Sequence, residues 1–561
     1  MSKIELKQVL YTILFIFCSS LIIAQKDLHY PLDKMVVTGN YGEIRPNHFH
    51  AGLDLRTDPS KNLPIYSIQD GYVSRIKVST YGYGKIIYIT HPGGYVSAYA
   101  HQHHFADKIA KYMSKKQAEQ ETFELELYPG KDELAIKKGE VIGYTGNTGS
   151  SQAPHLHFEI RDEFSEAPIN PYLHFELRDS VAPVLEGIYF FNTTDMNHPI
   201  VIEKKKISDS GKTKSTKGGA IEKELTLTDT FRLPECSGFG FAAYDQHVKN
   251  GNKNQIFSAE ILIDGQAYYK HVFDSIAFDK SKYINCFTVL DKEYKGDKIQ
   301  KCFLSKNQEI GMFKNVKNNG ELFLKDSLTH KFKLILTDAK GNKQTTSYFI
   351  KRKKNTELEL RKKCKYDCLK ELVFEQKDMK VVFLQKTFFN DFDMFYSFDK
   401  KSSLSNVISL RSENANLFLP CSLMIKPYKT KIDTSKLFIM ESITGTYCGA
   451  ELKNGYVCAT SRILGDFKVT CDTVPPKVTL IKNGKKAVGK QLDFIVGDNF
   501  SGIGKFKFYV NDKWYYSEYE SKQHKITYLF DEITPKETSN YKLKVWDKRG
   551  NLTEYSGTIN Q

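Results

Sequence analysis

A chain of 561 residues carrying a formal charge of +15 is too long for one hydrophobic core and requires three or four domains. Its basic clusters, Lys351-Arg352-Lys353-Lys354 and Lys204-Lys205-Lys206, fall in expected loops and linkers with no RNA- or DNA-binding motif around them. Nucleic acid is therefore excluded as a partner, whereas an acidic polymer fits the charge.

In chain order, Lys3 and Lys7 precede an apolar run from Val9 to Ile23 that ends at Ala24-Gln25. This predicts a secretory signal peptide over 1–25 and an exported protein of the periplasm or cell envelope, or one that is secreted. No other stretch is apolar enough to cross a bilayer, so the mature chain is expected to have no transmembrane segment. Cys18 follows the bulky Phe17 inside the run, which disfavours lipid attachment.

Residues 26–178 read as mostly antiparallel β, with short strands between tight glycine turns. Here His50-x-x-x-Asp54 is followed about a hundred residues later by His155-x-His157, which closes the segment Gly146–Arg161. Alternate residues of a strand face the same side, so His155 and His157 share a pocket while Leu156 faces the opposite layer. Two histidines and one aspartate suit a catalytic Zn²⁺ whose fourth position stays open, and none of the ten cysteines lies near them. Between them, Ile109, Tyr112 and Met113 predict an amphipathic helix, followed by an alternating strand through Phe123, Leu125 and Leu127.

Beyond Pro171 short alternating segments rich in Tyr and Phe predict β-sandwich modules. Asp179-Ser-Val-Ala-Pro183 recurs as Asp472-Thr-Val-Pro-Pro476, and FKLILTDAKGN (332–342) as YKLKVWDKRGN (541–551). These echoes predict an immunoglobulin-like module with an insertion over 179–352, a less regular β-rich region over 353–470 and a compact immunoglobulin-like module over 471–561. Asp498-Asn499 and Ser501-Gly502 read as a loop rather than a calcium site. Nine cysteines lie between Cys236 and Cys471, and the spread of Cys421, Cys448, Cys458 and Cys471 predicts one or two disulfides in an oxidising compartment.

Residues 36–173 resemble the lysostaphin/LytM-type zinc endopeptidase domain, the beta-lytic metallopeptidase (duplicated hybrid motif) family of cell-wall enzymes. The resemblance rests on TGNYGEIRP (38–46), HFHAGLDL (48–55), PIYSIQDGYVSRI (64–76), GYGKIIYITH (82–91), SAYAH (97–101), KKGEVIGYTGNTG (137–149) and APHLHFE (153–159). It implies that His50, Asp54 and His157 hold one Zn²⁺ per chain and that His101 and His155 are the catalytic pair, with the general base left open between them. It implies an exported metalloendopeptidase that hydrolyses peptide cross-links of peptidoglycan, its substrates stem peptides. The alternative is a non-catalytic LytM-type wall-binding protein or amidase activator, against which stands the presence of all five residues. The long β-rich C-terminal half looks more like exported members from Bacteroidetes-type bacteria, and its modules are candidate contacts for cell-envelope proteins.

Several secondary expectations follow. His48 is read as a pocket-rim or second-shell residue, His103 and His104 as the start of a loop, and His91 as exposed before the Pro92-Gly93-Gly94 turn. Arg45 and Arg161 are read as substrate-carboxylate contacts or solvated ion pairs. The helix and strand inserted between His101 and Lys137 form either a wall of the substrate groove or a cover for the sheet edge. Residues 26–178 are expected to fold and bind zinc alone.

Overall fold

The computed structural model describes residues 28–559, except 209–210, 217–218, 292–296, 355–361, 399, 413–414, 416, 482–490, 531–533 and 536–537. The expected signal peptide lies outside the described residues. Among them no helix is long and apolar enough to cross a membrane.

The chain is mainly β, with a large antiparallel sheet at its N-terminal end followed by three two-sheet units. The first sheet is built from β1 (Val37–Gly39), β2 (Leu53–Arg56), β3 (Gly71–Val78), β4 (Lys85–His91), β5 (Tyr95–Ala100), β6 (Leu125–Leu127) and β7 (His155–Asp162). Its order is β1-β2-β7-β5-β4-β3-β6, antiparallel throughout. Alternation along β7 sends Leu156, Phe158 and Ile160 into a core shared with Leu53, Leu55, Ile87, Ile89 and Tyr99. His155, His157, Glu159 and Arg161 are left on the other face. The β-branched strand KIIYITH of β4 is buried along its whole length because both faces of the sheet are covered.

Helix α1 (Asp107–Gln120) buries Ile109, Met113 and Gln117 against this core. It ends at Glu121, whose backbone is left-handed at φ 47°. The following strand β6 pairs with β3 at the edge of the sheet farthest from β1 and β2. The insertion therefore covers the sheet edge rather than walling a groove, a common way to protect an edge from pairing with other chains.

The unit after Asp179 stacks a six-stranded and a seven-stranded sheet around Phe190, Phe239, Phe332 and Tyr348. The stretch expected to be irregular is instead two five-stranded sheets enclosing Val381, Phe388, Leu423, Ile439 and Phe467. Long connections between its strands, such as 384–394 and 426–436, hid the alternation from a sequence reading. The last unit pairs two four-stranded sheets around Phe494, Phe508, Ile526 and Leu543. The expected disulfides do not form: Cys421, Cys448, Cys458 and Cys471 all stand as thiols.

These units are not beads on a string. Tyr41, Ile44 and Phe49 of the N-terminal region share one apolar cluster with Phe273, Ile276, Tyr283 and Phe287 of the next unit. Phe506, Tyr516 and Tyr519 from the final unit pack against the core of the first sheet. Polar links tighten the second joint, Lys85 to Glu518 at 2.5 Å and Lys507 to Glu121 at 2.7 Å, and Asn40 Nδ2–H to the Gln255 carbonyl at 2.7 Å crosses the first.

Candidate metal centre

The site lies on the polar face of β7. Cross-strand register sets His157 opposite Asp54 on β2 and opposite Ala100 on β5, and the small Ala100 leaves room beside the imidazole. His50 enters from the loop before β2, where its backbone is held by Gly42 N–H to His50 O at 2.8 Å and His50 N–H to Glu43 O at 2.9 Å. Gly52, between His50 and Asp54, has no alternative: a Cβ there would come within 2.2 Å of the Phe158 carbonyl oxygen. His101 follows β5 in the left-handed region at φ 59°. That conformation costs a non-glycine residue about 1 kcal/mol and is held here by His101 N–H to Tyr83 O at 3.0 Å.

The donor atoms of His50, Asp54 and His157 all lie within 4.8 Å of one another. His50 Nε2 and His157 Nδ1 stand 3.0 and 2.9 Å from Asp54 Oδ1, and His155 Nε2 stands 3.3 Å from the same oxygen. The far nitrogens fix the tautomers. His50 Nδ1 faces the Asn40 carbonyl at 2.7 Å, His155 Nδ1 the Ala153 carbonyl at 2.9 Å, and His157 Nε2 the Glu159 carboxylate at 2.7 Å. Carbonyl and carboxylate oxygens only accept, so these far nitrogens carry protons, and the three near nitrogens converge on Asp54 as donors when protonated and with lone pairs for a cation when neutral. Lone pairs converging on a carboxylate make a place for a cation, and the N/O donor set matches zinc in type and number.

The electrostatics show the same preference for positive charge at this point. Burial disfavours a charge on His157, yet the hydrogen bonds to Asp54 and Glu159 outweigh it and raise its pKa to about 9. Burial would also raise Asp54, but His50 and the hydrogen bonds from His155 and His157 hold it well below the usual carboxylate range. Burial holds His50 below the ordinary imidazole value. His101, its Nδ1 2.8 Å from the Thr148 carbonyl, is pushed down to about 3, chiefly by burial and then by His157 and His155. Its ring lies 4.8 Å from that of His155, centroid to centroid.

Sequence reasoning missed the layer behind this cluster. Glu159 is fully buried and receives His157 Nε2–H, Tyr83 O–H at 2.5 Å and Arg161 Nε–H at 2.6 Å. Burial works to raise its pKa, but Arg161 and His157 bring it down to about 2. Arg161, read from sequence as a substrate contact or solvated ion pair, is buried in that pair and stacked among Tyr88 and Phe278. Arg45 donates to Asp54 Oδ2 at 2.5 Å and to Glu43 at 3.1 Å, so it steadies a candidate ligand. His91 is buried rather than exposed, bonded to the Asp70 carbonyl and to Ser97 Oγ at 2.9 and 2.6 Å. His48 is exposed on the rim of the cleft, and His104 stacks on Tyr144.

Above the cluster opens a cleft of about 980 Å³. One wall is the loop 150–155. The other is foreign to the first sheet: Phe278, Ser281 and Lys282 of a short 3₁₀ helix, Phe278–Tyr283, from the following β unit. Ser281 Oγ accepts from Phe49 N–H at 2.9 Å and anchors that helix. Lys282, disfavoured as a cation by burial and by neighbouring Arg462, has no carboxylate paired with it among the described residues.

Comparison with known proteins adds the following. The profile of peptidase family M23 matches residues 48–118 and 130–171, and that of the Zu5-like domain matches residues 363–472. An uncharacterized metalloprotease of Haemophilus influenzae is 30% identical over 118 residues, 21% of this chain and 19% of that protein. The DD-carboxypeptidase/endopeptidase Mpg of Neisseria meningitidis serogroup B is 31% identical over 121 residues, 22% of this chain and 21% of that protein. The chain thus spans about a fifth of the length of these curated relatives. A solved zinc-containing peptidase of Vibrio cholerae is 24% identical, covers 26% of this chain and 39% of that one, and has a TM-score of 0.20. The stretch from His48 to Pro171 is accordingly a peptidase family M23 domain of the LytM and lysostaphin type.

Proposed function

We propose that the chain is an exported zinc endopeptidase that cuts peptide cross-links of peptidoglycan, with His50, Asp54 and His157 as metal ligands and His101 and His155 as the catalytic pair. The observation that carries this reading is the convergence of His50 Nε2, His157 Nδ1 and His155 Nε2 on one carboxylate oxygen at the floor of the cleft. Zinc held there would supply Lewis acidity for an attacking water and for the scissile carbonyl. His101 and His155 each donate Nδ1–H to a carbonyl, so each turns an Nε2 lone pair toward the cleft. Such a nitrogen takes the proton of the attacking water and returns it to the leaving amine, and in its protonated form steadies the oxyanion. Glu159 keeps His157 in the tautomer that exposes Nδ1, and Arg45 orients Asp54. Lys282 on the far wall suits a substrate bearing a free carboxylate, as stem peptides do.

Digestion of purified cross-linked muropeptides, read by mass spectrometry, tests the reading. The chain should release uncrosslinked products. His101→Ala and His155→Ala should keep their zinc and lose hydrolysis by about 10²-fold or more, whereas His50→Ala should lose both. A zinc-loaded chain that leaves every cross-link intact would instead support the wall-binding or amidase-activating alternative.

A further inference from the structure

The echo noted in the sequence has a spatial counterpart. Asp179 opens the first β sandwich, Asp245 follows its strand Cys236–Tyr244, and Asp338 follows its strand Thr329–Thr337. In the last sandwich Asp472, Asp498 and Asp547 occupy corresponding places, Asp498 after Gln491–Gly497 and Asp547 at the end of Ser539–Asp547. Each triad sits where its sandwich meets the unit before it.

The two triads are finished differently. In the last sandwich backbone amides reach all three carboxylates, with only Asp498 Oδ1 left without a bond. Ser501 N–H reaches Asp472 at 3.0 Å, Phe500 and Gly502 N–H reach Asp498 at 3.1 and 2.7 Å, and Arg549 and Asn551 N–H reach Asp547 at 2.7 and 2.9 Å. In the first sandwich Asp338 is closed in this way by Lys340 N–H and by Asn342 N–H and side chain, and Asp179 Oδ1 takes Val181 N–H at 3.1 Å. Asp245 is 3% exposed, and its Oδ1 receives no hydrogen bond. Asp179 Oδ2 and the hydroxyl of Tyr172 stand against each other, and Tyr172, a residue 3% exposed, faces Asp179, Asp245 and Asp338 from the end of the peptidase domain. His247 completes the group, its ring 4.8 Å from that of Tyr172.

We propose that Asp179, Asp245 and His247 form a second metal site, for a divalent transition ion of the zinc class, at the joint between the peptidase domain and the first sandwich. Their donor atoms lie within 4.8 Å of one another. Two carboxylates and an imidazole are a donor set that such ions take in preference to calcium or magnesium. An uncompensated buried carboxylate oxygen is costly, and a cation here would meet Asp245 Oδ1 together with the Asp179 carboxylate. The surrounding charges point the same way. Burial and then the neighbouring carboxylates push Asp179 up to about 7, while burial, Asp179 and Asp338 push Asp245 up to about 9. Burial lowers His247 to about 4, which leaves its imidazole neutral and able to ligate. The nearest cation, Lys340, donates instead to the Phe175 carbonyl at 2.8 Å. A metal there would tie Asp179, at the start of the sandwich, to Asp245 and His247 beyond its strand Cys236–Tyr244, beside the aromatic ring of Tyr172.

Metal counting on the full chain, stripped with chelator and dialysed against Zn²⁺, tests the site. Two equivalents are expected for the unaltered chain and one for Asp245→Asn, which keeps the shape and removes the charge. His247→Ala should also fall to one, through a side chain that carries none of the structural hydrogen bonds described above. Both variants should still cut soluble cross-linked peptides, and Zn²⁺ should raise their Tm less than it raises that of the unaltered chain. Asp54→Asn should lose the other equivalent and hydrolysis together, so a failure at the peptidase centre reads out separately. Asp498→Asn should retain both. One equivalent in the unaltered chain that Asp54→Asn removes, or an unchanged count in both Asp245→Asn and His247→Ala, would overturn the proposal and leave the carboxyls as protonated structural groups.

Discussion

At the scale of single residues, the centre is two layers deep and its outer layer sets the inner. Glu159 is the clearest case: it touches no open part of the cleft, yet it fixes the proton on His157 Nε2. Glu159→Gln keeps the volume and removes the charge, and zinc affinity should fall about 10- to 100-fold with the fold retained; competition against a chelator of known affinity measures it, and an unaltered affinity would refute the role. Much of the inner layer was legible because strand alternation is strict: once His155 and His157 were placed on one face, Leu156 had to face the core. The same parity sets Glu159 and Arg161 on that face as well, a step the sequence reading did not take. What the parity could not say was that both would be buried and paired to each other, because that depends on Tyr83, Tyr88 and Phe278 closing over them from elsewhere in the chain.

At the scale of elements, local periodicity succeeded where a segment packs on its own neighbours and failed where it packs on distant ones. The inserted helix was legible from Ile109 and Met113, both buried as expected. The 3₁₀ helix Phe278–Tyr283 gave no such signal, since its partner Phe49 lies 232 positions earlier. Its contribution to the cleft is nonetheless specific. Lys282→Ala should raise KM about 10-fold for peptides with a free carboxylate, the loss expected for one charge-assisted hydrogen bond, and leave kcat and amidated peptides nearly unchanged. Equal losses on both substrates would show that the change had disturbed the wall instead. His91 was misread for a related reason: the Pro92-Gly93-Gly94 turn predicts exposure, but the imidazole folds back onto Asp70 and Ser97.

Across the whole molecule, buried neutral imidazoles make the fold sensitive to acid. Burial brings His91 down to about 4 and His271 to about 3 from an ordinary 6.5. The unfolded chain therefore binds protons at these rings below about pH 6.5 while the folded chain does not, and stability falls as pH drops from there toward 4. Thermal unfolding scans between pH 7.5 and 4.5 should show a falling Tm, and His91→Gln should flatten the slope; a Tm flat across that window would contradict the burial. A second expectation reverses one drawn from sequence. The fragment 26–178 would bare Tyr41, Ile44 and Phe49, which in the full chain are covered by Phe273, Tyr283 and Phe287, so it should aggregate or bind a dye for exposed apolar surface. A soluble monomeric fragment with a sharp unfolding transition would show that the sheet closes unaided.

The ammonium of Lys522 holds the carbonyls of Asn147 and Ser151, in the loop that carries the cleft toward His155, across 375 and 371 positions of sequence. A ribosome adds roughly 5–20 residues each second, so the histidines emerge tens of seconds before the side chain that steadies their loop. During that interval the chain already carries the candidate ligands and histidines, but not the cation that braces their loop. The order of synthesis thus supplies the brace last, from the sandwich made farthest from the cleft it steadies.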